Sequence, residues 1–180
     1  MTIGHSTRTT DDFIHLLKLH EITLVVDIRS IPRSRHNPQF NKNELSAHLK
    51  SAGISYVHML ELGGLRHPSR NSLNSAWRNA SFRGYADYMQ TPQFQQALEK
   101  LISLAHKDRI VLMCAEVVPW RCHRSLIADA LLIRGITCED IIYGSGTHTH
   151  SLTSFAKVDG TQITYPLIEL PIAISIRKKI

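Results

Sequence analysis

The sequence has few cysteines and no long apolar run, and both features limit the class of protein. It contains 3 cysteines in 180 residues, an odd and small number that does not suit the disulfide framework of a small secreted protein. No apolar stretch approaches the ~20 residues of a membrane span, and the first residues lack the layout of a signal peptide. We therefore expect a cytoplasmic protein with reduced thiols and no membrane partner.

Acidic residues are absent from two long segments, 28–43 and 62–86, in which arginine is frequent. The formal net charge is +6, and 13 of the 21 basic residues are arginine. The planar guanidinium suits phosphate and base recognition, so this pattern favours a nucleic-acid partner, DNA in preference to RNA. The alternative for either segment is a solvated basic face without a ligand.

Short apolar segments alternate with amphipathic ones, which favours a three-layer α/β fold with a mainly parallel sheet and helices on both faces. We take the 180 residues as one domain. The predicted strands are 1–5, 21–28, 54–60, 109–113 and 139–143, and the predicted helices are 10–20, 43–52, 85–90, 92–106 and 125–134. A tail from about residue 145 contains a predicted hairpin of 151–156 and 162–165. In such folds, ligands bind beyond the carboxyl ends of the strands.

The most informative segment runs from Cys114 to Arg124, between an apolar strand and an apolar helix. It combines thiol, carboxylate, imidazole and guanidinium groups where a strand ends and a helix begins, a position that favours anions and thiolates. The candidate catalytic residues are Cys114, Glu116, His123 and Arg124. The candidate metal ligands in this segment are Cys114, Glu116, Cys122 and His123. Further candidate ligands lie near other strand ends: His5, Asp27, His148 and His150.

Three interpretations of this cluster remain open. A mixed set of soft and hard donors favours a redox-active transition metal, iron above all and zinc as an alternative, over magnesium or calcium. A cysteine nucleophile, as in tyrosine phosphatases and rhodaneses, is the second interpretation. Those phosphatases place their arginine six residues after the cysteine, however, whereas Arg121 is seven residues after Cys114. The third is a structural role, with Cys114 ending a core strand and Glu116 paired to Arg121.

A second group of residues is predicted to contact the substrate. Aromatic side chains alternate with arginines between residues 77 and 88, and such residues can stack on bases. Two of the four aromatics there, which are Trp77, Phe82, Tyr85 and Tyr88, are expected in the core. The candidate substrate-binding residues are Arg29, Arg33, Arg35, Arg66, Arg83, Tyr85 and Arg121.

Several blocks spread over nearly the whole chain resemble the bacterial family known as domain of unknown function 488. They are Thr2-Ile-Gly-His-Ser6, Val26-Asp-Ile-Arg-Ser-Ile-Pro-Arg-Ser-Arg35 with Pro38-Gln-Phe40, Glu61-Leu-Gly-Gly-Leu-Arg66, Phe82-Arg-Gly-Tyr-Ala-Asp-Tyr-Met89, and Leu112-Met-Cys-Ala-Glu116 with Cys122-His-Arg124. The resemblance implies a small α/β domain. His150-Ser-Leu-Thr153 is similar to a late His-x-Leu-Thr element of the family, which favours His150 over His148 as a site residue.

Three functions follow from these observations. The first is a metal-dependent enzyme on nucleic acid, such as one that repairs modified or alkylated bases, because a flipped base needs aromatic stacking and a metal or thiol within reach. The second is a thiol hydrolase or transferase on a small phosphorylated or sulfur-bearing substrate. The third is a nucleic-acid-binding module in which the cluster is structural.

Overall fold

The computed structural model describes residues 1–142, 144 and 146–167. Its strands are β1 (Thr2–Gly4), β2 (Leu24–Asp27), β3 (Ser55–His58), β4 (Ile110–Cys114), β5 (Glu139–Ile141), β6 (Thr147–Thr149), β7 (Lys157–Asp159) and β8 (Gln162–Thr164). Its α-helices are α1 (Thr10–Leu19), α2 (Lys42–Ser51), α3 (Ala80–Tyr88), α4 (Pro92–Ala105) and α5 (Arg124–Leu132). The main sheet has six strands in the order β3-β2-β4-β1-β5-β6. The first five are parallel and β6 is antiparallel, which confirms the mainly parallel α/β fold.

Two apolar layers cover the sheet, one on each face. On one face, Phe13 and Leu17 of α1 and Leu45 and Leu49 of α2 pack with Val25 of β2. On the other face, residues of α3, α4 and α5 pack with alternate residues of the same strands. All four residues of β2 are buried, as expected of a parallel strand with helices on both sides. The three-layer arrangement is therefore confirmed.

The helices begin where the local sequence can satisfy their first N–H groups. The Thr9 side chain accepts a hydrogen bond from the backbone of Asp12 at the start of α1, and Thr91 caps α4 with Pro92 in its first turn. Helix α3 begins five residues before the predicted start, at Ala80, because Asn79 accepts from the N–H groups of the next turn. This early start brings Ser81 and Phe82 onto a helix rather than a loop.

The end of the chain differs from the prediction. A hairpin is present, but its strands are β7 and β8, so its first strand lies after the predicted 151–156 segment. The segment 147–149 instead adds β6 to the main sheet. Tyr143, the predicted end of the fifth strand, and residues 168–180 of the predicted tail lie outside the described residues. None of the helices in the described part of the chain has the length and apolar composition that a bilayer crossing requires.

Candidate functional site

The candidate site lies where the sheet changes its direction of winding. β4 and β1 are neighbours, but the connection after β1 leads to β2 on one side and the connection after β4 leads to β5 on the other. The helices that follow the two strands, α1 and α5, pack on opposite faces of the sheet. The loops after β1 and β4 therefore leave to opposite faces, which creates a crevice at the carboxyl ends of the strands, the usual ligand position in such sheets. Cys114 ends β4, and His5 directly follows β1.

Three of the predicted site residues converge at this crevice. One ligand atom from each of Cys114, Cys122 and His123 can be chosen so that all three lie within 4.8 Å of one another. Sγ of Cys122 lies 3.7 Å from Nδ1 of His123. The three arise from the end of β4 and from the two residues directly before α5. Two sulfurs and one imidazole nitrogen form a donor set suitable for zinc or iron.

The two thiols have opposite tendencies to ionise. A hydrogen bond from Cys122 is the main factor that lowers the pKa of Cys114 to about 7, helped by the N–H groups of Ala115 and Glu116 and by the charge of Arg124. The same hydrogen bond and burial raise the pKa of the Cys122 thiol well above its ordinary value. Near neutral pH without a metal, Cys114 is therefore partly ionised, and its thiolate form accepts a hydrogen bond from the Cys122 thiol. A thiolate is both the nucleophilic and the metal-binding form of cysteine.

One ring nitrogen of His123 is fixed by the backbone and the other faces the cysteines. Its Nε2 lies 3.3 Å from the carbonyl oxygen of Ile28, and since a carbonyl only accepts, Nε2 carries the proton. The lone pair of Nδ1 therefore faces the Cys122 sulfur. Burial is the main cause that lowers the pKa of His123 to about 4, so the ring is neutral near pH 7. A backbone carbonyl that fixes the second ring nitrogen is the usual support of a ligating histidine.

Arg124, a predicted catalytic residue, instead holds the loop between the two cysteines. Its side chain is fully buried, and its guanidinium donates to the carbonyl oxygens of Glu116 and Val117. Its Nε also donates to Oγ1 of Thr2 over 3.1 Å. The loop passes so close to β1 that a Cβ on Gly4 would lie 1.9 Å from the Glu116 oxygen. Arg124 therefore fixes the position of the loop between the two cysteines relative to β1, and it does not line the cavity.

Two of the predicted metal ligands, His5 and Asp27, are engaged with Arg29. The Arg29 guanidinium donates to both carboxylate oxygens of Asp27, at 2.9 and 2.6 Å, and Tyr56 donates to the second of them. Arg29 Nη1 also lies 3.2 Å from His5 Nε2, which must accept because arginine only donates. His5 Nδ1 then donates to the Ser6 carbonyl oxygen over 2.9 Å. Both predicted ligands are thus occupied by protein partners, and the Arg29 guanidinium, although it belongs to a residue that lines the crevice, is occupied by them as well.

The other two predicted ligands also lie outside the three-residue group. Glu116 is exposed at the crevice, and its Oε1 accepts from the backbone of Val118 over 3.3 Å. His150 lies 2.7 Å from the buried Asp129 of α5, through Nε2. Asp129 accepts in addition from the Tyr165 hydroxyl and from the Thr153 backbone. His150 therefore attaches the segment after β6 to α5 instead of joining the cysteines.

A cavity of about 560 Å³ opens next to the group. It is lined by Cys114, Cys122 and His123 together with Ser6, Arg29, Ser30, Ile31, Gly64, Leu65, Ser81, Phe82, Ala115, Glu116, Val117 and Arg121. Ile31 and Leu65 are 63% and 71% exposed, so the side chains around the cavity include large apolar groups that face solvent. Phe82 supplies an aromatic wall and the exposed Arg121 a positive charge.

Some of the remaining predicted substrate-binding residues are exposed to solvent, and others already contact protein groups. Arg33 and Arg35 are exposed on the loop after β2. Arg66 lies 3.6 Å above the Tyr88 ring and donates to two backbone carbonyls, and Arg83 is half-buried. Tyr85 is fully buried and donates to the Leu62 carbonyl oxygen, so it belongs to the core and does not reach a ligand.

Sequence reasoning missed two residues that shape the site. Gly64 lies against the imidazole of His123, and any Cβ there would lie 2.4 Å from Nδ1. The Gly63-Gly64 pair was visible in the sequence, but it predicts a strand end equally well. Ser6 has a φ of +51°, a left-handed conformation rare for a non-glycine residue. Such conformations concentrate at functional sites, and no sequence pattern marks this one.

The fold and the site together define an α/β protein with a mainly parallel sheet. A crevice at the carboxyl ends of β1 and β4 is lined by cysteine and histidine side chains. The family model described as domain of unknown function DUF488 matches residues 9–131. The chain therefore belongs to that family. No curated protein and no solved structure matches the chain.

Proposed function

We propose that this protein is a metal-dependent enzyme whose metal is held by Cys114, Cys122 and His123. The supporting observation is that the three ligand atoms lie within 4.8 Å of one another and line a cavity. Three protein ligands leave a coordination position for water or substrate, which distinguishes catalytic zinc sites from closed structural ones. The protonated Nε2 of His123, which donates to Ile28, leaves Nδ1 available for the metal.

The metal is a divalent transition ion, iron or zinc. The preference for iron depended on a mixed donor set that included the carboxylates of Asp27 and Glu116, neither of which belongs to the three-residue group. Two sulfurs and one nitrogen suit zinc at least as well. Either ion, once bound, can polarise a substrate oxygen or lower the pKa of a bound water. The Cys114 thiol, whose pKa is about 7, gives up its proton for the metal more easily than an ordinary cysteine.

The proposed substrate is nucleic acid, DNA in preference to RNA, with a modified or alkylated base as the reacting group. The net charge of +6 and the exposed Arg121 beside the cavity support a polyanionic partner. Phe82 offers an aromatic face inside the cavity for a base taken out of the stack. The apolar rim of Ile31 and Leu65 suits the faces of unstacked bases better than a fully hydrated sugar phosphate.

Elemental analysis of protein purified without oxygen tests the metal. We expect about one iron or zinc per chain in the wild-type protein and a large loss in Cys114→Ala and His123→Ala. The matched control is Cys138→Ala, because Cys138 is also a buried free cysteine but lies outside the group. A metal content that is low in the wild type, or equal in all variants, contradicts the proposal.

Activity on DNA that contains alkylated bases tests the reaction. Removal of the metal by a chelator should abolish turnover, and the same metal should restore it. Binding of the DNA should persist in both forms and weaken steeply with salt, since phosphate contacts do not depend on the metal. Binding that persists without turnover in any metal form would instead support the non-catalytic binding module.

A second candidate function, a cysteine nucleophile, is favoured by one observation. The Cys114 thiolate accepts hydrogen bonds from backbone N–H groups of the loop that follows it, and the positive charge of Arg124 stabilises it further. Such an environment is typical of a reactive cysteine. A metal-free preparation that is fully active, together with an inactive Cys114→Ser variant, would establish this function and exclude the metal-dependent one.

A further inference from the structure

A second cavity of about 270 Å³ adjoins the one beside the cysteines. The two cavities share four lining residues, Ser6, Arg29, Ile31 and Ala115. The others that line the second cavity are His5, Thr7, Arg33, Ser34 and Asn37. The crevice between β1 and β4 therefore has two connected parts. The first cavity is largely apolar and contains the two cysteines and His123, and the second is polar and extends along the loop after β2.

Positive charge without a carboxylate partner distinguishes the second cavity. No acidic residue lines it, whereas Glu116 lines the first. The charge of Arg29 is neutralised by Asp27 behind it. Among the residues that the structure describes, the ion pairs are Arg29 with Asp27 and His150 with Asp129, so Arg33 has no carboxylate within 4.0 Å. Arg33 is also exposed, and its guanidinium is free to bind an anion.

The remaining polar side chains of the cavity include a histidine that is already satisfied and three hydroxyls that can donate. His5 makes hydrogen bonds through both ring nitrogens, to Ser6 and Arg29. The hydroxyl of Ser34 accepts from the Asn37 backbone over 3.0 Å and retains its own proton for a ligand. Ser6 and Thr7 place two more hydroxyls in the lining. Hydroxyls and an arginine fork are the groups with which proteins hold phosphate oxygens.

We infer that the second cavity binds the phosphate of a nucleotide whose base lies in the first cavity against Phe82 and Leu65. The shared wall of Ser6 and Ile31 lets one small ligand reach both parts. This inference rests on the proposed function and specifies its substrate: the reacting nucleotide is held by its own phosphate at Arg33. It assigns to Arg33 a contact within the crevice that Arg35, exposed on the same loop, does not share.

Calorimetric titration tests the inference with four kinds of ligand: 5′- and 3′-deoxynucleoside monophosphates, the matching deoxynucleosides, and inorganic phosphate. We expect a monophosphate to bind the wild-type protein more tightly than its nucleoside or inorganic phosphate. Arg33→Ala should weaken the monophosphate by about 10- to 100-fold, the usual loss of a hydrogen-bonded charge contact, and leave the nucleoside unchanged. Arg35→Ala is the matched control and should bind all ligands like the wild type. Metal content and thermal unfolding of Arg33→Ala should match the wild type, which shows that the variant folds.

Three results would overturn the inference. They are equal affinity for monophosphate and nucleoside, equal losses in Arg33→Ala and Arg35→Ala, and inorganic phosphate that binds as tightly as the monophosphate. The proposed function fails separately, through the absence of a metal. The nucleotide titration can then still be read, because the second cavity contains none of Cys114, Cys122 and His123.

Discussion

The imidazole of His123 packs directly against the backbone of Gly64, with no room for a side chain between them. A Cβ at residue 64 would lie 2.4 Å from Nδ1 and 2.8 Å from Cγ and Cε1 of that ring. Nδ1 is the atom that faces the Cys122 sulfur. The loop after β3 therefore forms part of the candidate metal site without contributing a ligand.

Gly64→Ala should weaken metal binding, because the ring or the loop must shift to accept the methyl group. We expect a loss in affinity of about 10- to 100-fold, the usual effect of disturbing the support of a ligand. Competition with a chromogenic chelator measures it. Gly146→Ala is the control, since a Cβ there meets no atom within 4 Å. Equal affinity in the two variants would mean that His123 does not bind the metal.

Asp27→Asn should destabilise the protein strongly without removing any of Cys114, Cys122 and His123. The change leaves Arg29, which is 6% exposed, as a buried charge without its partner. Breaking such a pair costs about 3–5 kcal/mol. Urea unfolding measures the loss, and Asp159→Asn, an exposed residue of β7, should change stability little. A loss below 1 kcal/mol would indicate that water reaches Arg29 in solution.

Cys114 in metal-free protein should react with iodoacetamide at a rate that rises with pH around a midpoint near 7. The thiolate is the reactive form, and the pKa of Cys114 is lowered to about 7 chiefly by the hydrogen bond from Cys122. Cys122→Ala removes that bond and should move the midpoint upward, towards the ordinary value of 9.0.

Peptide mass spectrometry distinguishes this reaction from labelling at the third cysteine. Burial raises the pKa of Cys138 to about 11, so it should stay largely unlabelled below pH 9. A wild-type midpoint near 9, or one that Cys122→Ala leaves unchanged, would show that the two thiols do not share a hydrogen bond.

The regular part of the fold was predictable from the sequence because periodicity encodes it. The run that contains β2 is apolar on both faces, and the amphipathic period of α1 places Phe13 and Leu17 in the core. The convergence of Cys114 with Cys122 and His123 followed from the same reasoning, since one ends a strand and the others precede a helix. Strand ends were less accurate: β2 begins at Leu24, three residues after the predicted start.

Side chains on loops were not predictable in the same way. Arg29 and Arg33 lie in one acid-free segment and look alike in sequence, yet Arg29 turns inward to Asp27 while Arg33 remains exposed. The inward position of Arg29 is supported by two further contacts: the Tyr56 hydroxyl donates to Asp27, and the Phe40 carbonyl oxygen accepts from Arg29. Tyr56 lies 29 residues after Asp27, in another strand. His150 lies apart from the cysteines for a similar reason, because its side chain pairs with Asp129 of α5, 21 residues away in sequence.

His150→Ala should lower stability and leave the metal content unchanged, contrary to what its predicted role as a ligand requires. The change removes one of the three groups that donate to Asp129 and leaves Tyr165 and Thr153 in place. The loss of a hydrogen bond to a buried charged group costs about 1–3 kcal/mol. Urea unfolding and elemental analysis of the same preparations measure both effects. His148→Ala is the matched control, because His148 is exposed two residues away and should change neither quantity. A metal content that falls in His150→Ala while stability stays constant would return His150 to the metal site and require a rearrangement of the segment after β6.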